Sequence, residues 1–406
     1  MTINTDILII GGGIAGMWTV NRLTKLGYSV ILLEKTALGD GQSMKSQGII
    51  HGGVKYSLTG QVSKAANAIS GMPKRWSDSL DGSGEVDLSQ AKVLSPYHYM
   101  WSKGNLASKL TTFFASKAVS EKMHRLNPDE EPLAFQEAKL KSALYALHEN
   151  VLDIPSIFQT LAQQHHGQCF QVDCQNELDF EVNPDSSIHL AKIRNTDLAI
   201  KPQFTIFTAG EGNEALLEKL NLPAKEKPAM QRRAVHMTLV KHQHPFPLYA
   251  HCIGTGSKPE LTISSHKHSD GSWVYYLGGN LSEDGIDLNE DEQIKVAKET
   301  LKELVPWLDF TKADFASFKL NKAEPKTKGL LRPDSSFVQT IQNTAVAWPT
   351  KLALAPQLAD QIIEELQKND INALNPQNKT ELIAAFQKAN IQCSQAATPI
   401  WEQLFK

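Results

Sequence analysis

Cysteine is scarce in this chain: Cys169, Cys174, Cys252 and Cys393 are the only four in 406 residues. Their number and spacing give neither a disulfide framework nor a zinc-type ligand set. A small secreted scaffold is therefore excluded, and a reducing, cytoplasmic compartment is expected. No apolar run approaches the roughly 18 residues of a membrane span. Charge of one sign is missing too. The formal net charge is −3 with acids and bases mixed along the chain, so no basic stripe offers a nucleic-acid surface. Neither internal repeats nor low-complexity segments occur. The first apolar run starts within a few residues of Met1, which leaves no room for a signal peptide. What remains is a globular chain whose length suggests two or three domains.

The densest signal is Gly11-Gly12-Gly13-Ile14-Ala15-Gly16. It follows a short apolar run at 7–10 that reads as a buried parallel strand, and it precedes an apolar-periodic helix at 17–26 that stops at Gly27. Gly11, Gly13 and Gly16 thus satisfy G-x-G-x-x-G in the strand–turn–helix setting the motif needs. Gly11 allows the tight turn, Gly13 lets backbone approach a pyrophosphate, and Gly16 lets helix and strand pack closely. The helix N-terminus, with Ile14 and Ala15 in its first turn, offers N–H groups and a positive dipole end to the phosphates. A second strand at 29–33 ends in Glu34, the acid expected roughly 20 residues on to bind ribose hydroxyls. An acid there disfavours a 2′-phosphate, leaving FAD or NAD.

A loop rich in Gly, Ser and Gln follows, with Ser43-Met44-Lys45-Ser46-Gln47-Gly48-Ile49-Ile50-His51-Gly52-Gly53-Val54-Lys55-Tyr56 at its centre. This segment resembles the flavin loop of the D-amino-acid oxidase/glycerol-3-phosphate dehydrogenase superfamily, in its Ile-His-Gly-Gly form. The Lys-Tyr that follows is similar to glycerol-3-phosphate and L-2-hydroxyglutarate dehydrogenases. The resemblance spans roughly residues 5 to 365, strong in the first sixty and patchy in the middle. It implies an α/β (α+β overall) fold, in which a Rossmann-like FAD-binding domain (1–80, 150–222 and 329–375) is interleaved with an antiparallel β-sheet substrate domain (85–149 and 225–328). A helical tail occupies 376–406. Consistent with this, the Asp270-Gly271 turn joins two strand-like runs, 261–265 and 273–277. Residues 170–182, 188–193, 204–210, 233–240, 337–341 and 346–352 also read as strands. Helices are expected at 64–80, 106–120, 156–164, 290–304 and from Pro349 through Ala355 to 366, where proline suits a first helical position.

The resemblance implies non-covalent FAD held by Gly11, Gly13, Ile14, Ala15, Gly16, Glu34, Lys35, Ser43, Ser46, Gln47, Gly48, His51, Leu178, Ala209, Gly210, Thr350, Lys351 and Leu352. His51 would pack against the flavin. Trp348-Pro349 departs from the glycines usual in relatives and would narrow the approach to the ring. Oxidising a carbinol needs a hydride acceptor and a base for the hydroxyl proton. His236, in a strand similar to the family's Lys/Arg-Gly-x-His element, is the expected base. Tyr56, Lys55, Arg332 and Lys351 complete the expected substrate site, with Arg332 as the fork for a carboxylate or phosphate. His165, His166, His242, His244, His266 and His268 read as polar-turn residues, and no metal is expected.

The reading is therefore an FAD-dependent dehydrogenase or oxidase of a small anionic 2-hydroxy compound. Amino-acid or secondary-amine oxidation, and a flavin-binding subunit without activity, stay open as alternatives. The electron acceptor stays open among oxygen, quinone and a redox protein. The amphipathic tail around Ile400, Trp401, Leu404 and Phe405 reads as a docking helix, with peripheral membrane contact as its other use.

Overall fold

The computed structural model describes residues 1–53, 68–103, 123–140, 142–254, 256, 258–328, 333, 335–376 and 378–406. Strand β1 (Thr2–Ile10) organises the first half of the architecture. Its side chains alternate between two cores: Ile7 and Ile9 point into one apolar cluster, Leu8 and Ile10 into another. A strand covered on both faces reads as a continuous apolar run and sits in the middle of a parallel sheet. β1 accordingly pairs in parallel with β2 (Val30–Glu34) on one side and with β11 (Ala199–Phe207) on the other. β8 (Cys169–Gln171) extends this sheet beyond β2. Beyond β11 lie β18 (Thr344–Trp348), in parallel, and β17 (Phe337–Ile341), antiparallel to β18. β10 (Ile188–Ile193) and β9 (Leu178–Val182) branch antiparallel from β11. The single strand expected over 170–182 is thus two, split by a turn in which Asp173 Oδ1 accepts from Gln175 N at 3.2 Å.

Helices α1 (Ile14–Lys25), α2 (Met72–Leu80) and α3 (Ile154–Gln164) supply side chains to the Ile7/Ile9 core. On the opposite face lies α4 (Gly212–Glu218).

The second sheet runs β16 (Asp314–Pro325), β12 (Met230–His242), β15 (Trp273–Gly278), β14 (Pro259–Lys267), β13 (Ala250–Ile253), β4 (His98–Ser102), β6 (Tyr145–Leu147) and β5 (Met123–Arg125). Every pairing is antiparallel except β13 with β4. β3 (Val93–Ser95) and β7 (Val151–Leu152) form a separate two-stranded ribbon. α5 (Asn280–Asp284) and α6 (Glu290–Leu304) follow β15. α6 starts with a capping box: Asn289 Oδ1 accepts from Glu292 N at 3.0 Å, and Glu292 Oε2 accepts from Asn289 N at 2.9 Å. Its Ala297, Leu301 and Leu304 cover the sheet face that carries Val240, Tyr275 and Leu277.

The chain returns to the first core through α7 (Ala355–Lys368). This helix begins six residues after Pro349, with Pro356 in its first turn, so the expected start is corrected. Residues 349–351 form instead a bend in which Thr350 takes φ +60° and its hydroxyl donates to Ser335 O at 3.1 Å. α8 (Lys379–Lys388) stacks Phe386 on Phe170 at 3.7 Å, and α9 (Ile400–Leu404) packs Ile400 and Trp401 against Val235, Met237, Leu239 and Tyr276. No helix among the described residues is long and apolar enough to cross a membrane.

Four of the six histidines expected in solvated turns are buried: His165, His242, His266 and His268. His266 stacks on Trp401 at 4.1 Å and His242 packs edge-on to Tyr275 at 3.9 Å; His268 Nε2 donates to Phe405 O at 2.9 Å in the docked tail. Burial pushes His266 down to about 3, and burial with the neighbouring His244 pushes His242 down to about 3. Both are neutral in the fold, whereas the unfolded chain takes up protons below about 6.5, so stability falls as pH drops from there toward 3. The slope is about 1.4 kcal/mol per pH unit for each group. Urea unfolding between pH 7 and 5 should show His266→Phe losing about 2 kcal/mol less than the parent. Equal losses would mean that His266 is not held neutral.

Candidate active site

The glycine turn is built by close approach. Gly11 has φ +110°, and a Cβ there would lie 2.6 Å from the Ala209 backbone. At Gly16 a Cβ would sit 2.0 Å from Gly11 O. Gly13 is less crowded, since a Cβ would meet only Ser43 Oγ at 3.2 Å. The first turn of α1 carries no acidic side chain, and Ser43 Oγ accepts from Ile14 N at 2.9 Å. Glu34 accepts from Gly12 N at 2.5 Å and from Thr36 N at 3.1 Å. Burial pushes the Glu34 carboxyl above its ordinary range against those N–H bonds.

A cleft of about 960 Å³ opens from this turn toward the second sheet. It brings together Gly11, Gly13, Ile14, Ala15, Glu34, Ser43, Ser46, Gln47, Gly48, His51, Ala209, Gly210, Thr350, Lys351 and Leu352 from the expected set. Gly16 lies beneath, where its lack of a side chain sets the turn. Lys35 and Leu178 are not brought to the cleft. Lys35 points to Asp173 at 3.4 Å, and Leu178 is wholly buried in the core at the start of β9. Lys55, Tyr56 and Arg332 lie outside the described residues.

The loop from Gly39 to Gly52 joins the two sheets. Gly39 N donates to Gly12 O at 2.9 Å, Gln47 Nε2 donates to Tyr276 O at 2.8 Å, and Leu152 N donates to Gly48 O at 2.9 Å. Ser46 Oγ is buried and takes no hydrogen bond from the described residues. Pro349 lines the cleft, and so does Trp348. Its indole is fully buried and donates to Gly210 O at 3.0 Å, which ties the end of β18 to the end of β11.

His236 is corrected by strand geometry. Alternate residues of β12 face opposite sides of the sheet. Arg233 and Met237 face the cleft, whereas His236 faces α5 and α6. Its Nδ1 is 2.9 Å from Gly285 O and its Nε2 2.9 Å from Ser317 Oγ, so both ring nitrogens are engaged in the fold.

A different histidine, His51, lines the cleft and is backed by a buried carboxylate. His51 Nδ1 lies 2.9 Å from Glu149 Oε2, and the other carboxylate oxygen accepts from Gly52 N at 2.7 Å. Glu149 is 2% exposed. His251, also in the cleft wall, stands with its ring 5.7 Å from that of His51, bonds Thr262 Oγ1 at 2.8 Å, and has His98 packed behind it at 4.0 Å. Ligand atoms of His51, Glu149 and His251 lie within 4.8 Å of one another, a set able to hold a divalent cation. Nothing in the local sequence marks this trio, because its members stand about a hundred residues apart. Arg233, Lys258, Lys322 and Lys351 line the cleft as well, and so do the acids Glu211 and Glu283, the latter paired with Lys258. Arg233 pairs with Glu324 at 2.7 Å.

A turn too tight for side chains, an acid at the end of β2, an unfilled serine hydroxyl and a long cleft suit a flavin dinucleotide. The chain belongs to the FAD dependent oxidoreductase (DAO) family, which it matches over residues 6–314. It is 43% identical over 370 residues, 91% of this chain and 92% of the other, to the "Probable FAD-dependent oxidoreductase PA4991" of Pseudomonas aeruginosa. The crystal structure of that protein covers 99% of both chains with a TM-score of 0.81 at 36% identity. Glycine oxidase from Geobacillus kaustophilus (TM-score 0.64, 14% identity, 90% of this chain and 95% of that one) shares the fold. So does L-alpha-glycerophosphate oxidase from Mycoplasma pneumoniae with FAD bound (0.61, 16%, 90% and 95%).

Proposed function

We propose that this flavoprotein oxidises a small anionic 2-hydroxy compound, a polyol phosphate or 2-hydroxy acid, to the corresponding carbonyl. The observation that carries this reading is His51 in the cleft wall, bonded to the buried Glu149. Bound FAD, held by the glycine turn, Glu34 and the 43–48 loop, supplies the two-electron acceptor. When a carbinol C–H bond breaks with its electron pair leaving as hydride, the O–H proton must also leave as the C=O bond forms. His51 is the group on hand to take it. An amine substrate needs no such base beside it, because its free-base form already carries the lone pair; His51 would then be dispensable.

The anionic character of the substrate is supported by Lys322 and Lys351 in the cleft lining, and by Arg332, whose fork suits a carboxylate or phosphate. The holoenzyme mixed anaerobically with polyol phosphates, hydroxy acids and their uncharged analogues should lose its yellow colour only with the anions. Inorganic phosphate or sulfate should compete. Bleaching by uncharged alcohols at equal rates would rule out the anion site.

A further inference from the structure

One buried carboxylate holds both the side chain and the main chain of the segment carrying the proposed base. Glu149 Oε2 meets His51 Nδ1 at 2.9 Å while Oε1 accepts from Gly52 N at 2.7 Å. Its own backbone is fixed as well: Glu149 N donates to Leu147 O at 2.7 Å, and the next carbonyl, Asn150 O, accepts from Ile50 N at 2.9 Å. The carboxylate therefore comes from a rigid position just after β6, in the second sheet, and reaches a loop that begins at the first.

We propose that Glu149 is a positioning residue: it holds His51 as the Nδ1–H tautomer, so that Nε2 is the nitrogen that accepts the substrate proton. The proposal rests on the reading of His51 as base. Its logic is a count of donors and acceptors. A carboxylate offers two acceptor oxygens, and here two N–H donors, Gly52 N–H and His51 Nδ1–H, converge on them. Only the Nδ1–H tautomer satisfies this arrangement. A nearby carboxylate also favours the imidazolium that forms when the proton arrives. The titratable neighbours that the described residues bring to His51 are Glu149, His251 on β13 and, behind it, His98 on β4.

Glu149→Gln separates this role from simple support. A glutamine has one acceptor oxygen and one NH2 donor, so it cannot receive both N–H groups. If its oxygen stays on Gly52 N, its NH2 faces His51 Nδ1 and turns the ring to the tautomer that cannot accept at Nε2. The variant should keep its flavin while anaerobic flavin reduction slows about 100-fold or more, with KM within about threefold. Glu149→Asp should recover part of the rate. In the parent holoenzyme, nitrogen-15 NMR of labelled histidine should show His51 protonated at Nδ1 near neutral pH, a readout that needs no variant to fold.

An Nε2–H tautomer in the parent, or flavin reduction at the parent rate in Glu149→Gln, would overturn the proposal. Loss of activity on treating the parent with a chelator would also overturn it, because the trio would then be a metal site. These outcomes are distinct from normal flavin reduction by a His51 variant, which would remove the base itself and leave Glu149 nothing to position.

Discussion

Gly16→Ala should yield protein that binds FAD weakly or not at all. The single added methyl would stand 2.0 Å from the carbonyl oxygen of Gly11, with Thr208 Oγ1 at 3.0 Å on the same side. Backbone cannot step aside as a side-chain tip can, so helix α1 must slide away from the end of β1. Overpacking of this kind costs about 1–3 kcal/mol in stability. The displacement also withdraws the α1 N–H groups from the pyrophosphate, and a loss of about 3 kcal/mol there corresponds to a dissociation constant raised over 100-fold. Gly71→Ala is the internal control, because a Cβ there would meet nothing within 4 Å and Gly71 is not part of the cleft lining. Flavin content per mole of purified protein measures both. Equal retention of flavin in the two variants would mean that the turn does not hold the dinucleotide as described.

The second large effect concerns the base. His51→Asn should leave the flavin bound and slow its anaerobic reduction by about 10²–10⁴-fold, the range for a lost general base. His236→Gln should reduce flavin within a few-fold of the parent. Its effect should appear in stability instead, because losing a buried hydrogen-bonded group costs about 1–3 kcal/mol. The two histidines thus exchange the roles that motif resemblance alone would give them. If His236→Gln is slow and His51→Asn is normal, the cleft geometry has been misassigned.

That exchange shows what a sequence carries locally and what it does not. The glycine turn, Glu34, the hairpin around Asp270-Gly271 and helix α6 were legible because each is written within a few neighbouring residues. The capping box at Asn289 and Glu292 is such a local signal. For His236 the strand itself was legible, with the residue in β12 as expected. Which face of β12 turns to the cleft depends on where α5 and α6 pack, and alternation alone cannot say. Glu149 was invisible for a related reason. It follows a three-residue strand, and its partner His51 lies 98 positions away. The return to α7 was misplaced because Pro349 and Pro356 both suit a first helical turn, and the tight bend at Thr350 decides between them. His242 and His266 were read as turn residues from polar neighbours, yet their strands bury them.

The central claim is that this flavoprotein takes hydride from a carbinol carbon while His51 takes the hydroxyl proton. The most direct test is anaerobic mixing of the oxidised holoenzyme with matched pairs of anions that differ only in a 2-hydroxy or 2-amino group, across pH, in the parent and in His51→Asn. The expected result is flavin bleaching by the hydroxy member, with a rate that rises through one ionisation in the parent and loses that dependence in the variant. Bleaching by the amino member alone, at the same rate in both proteins, would contradict it.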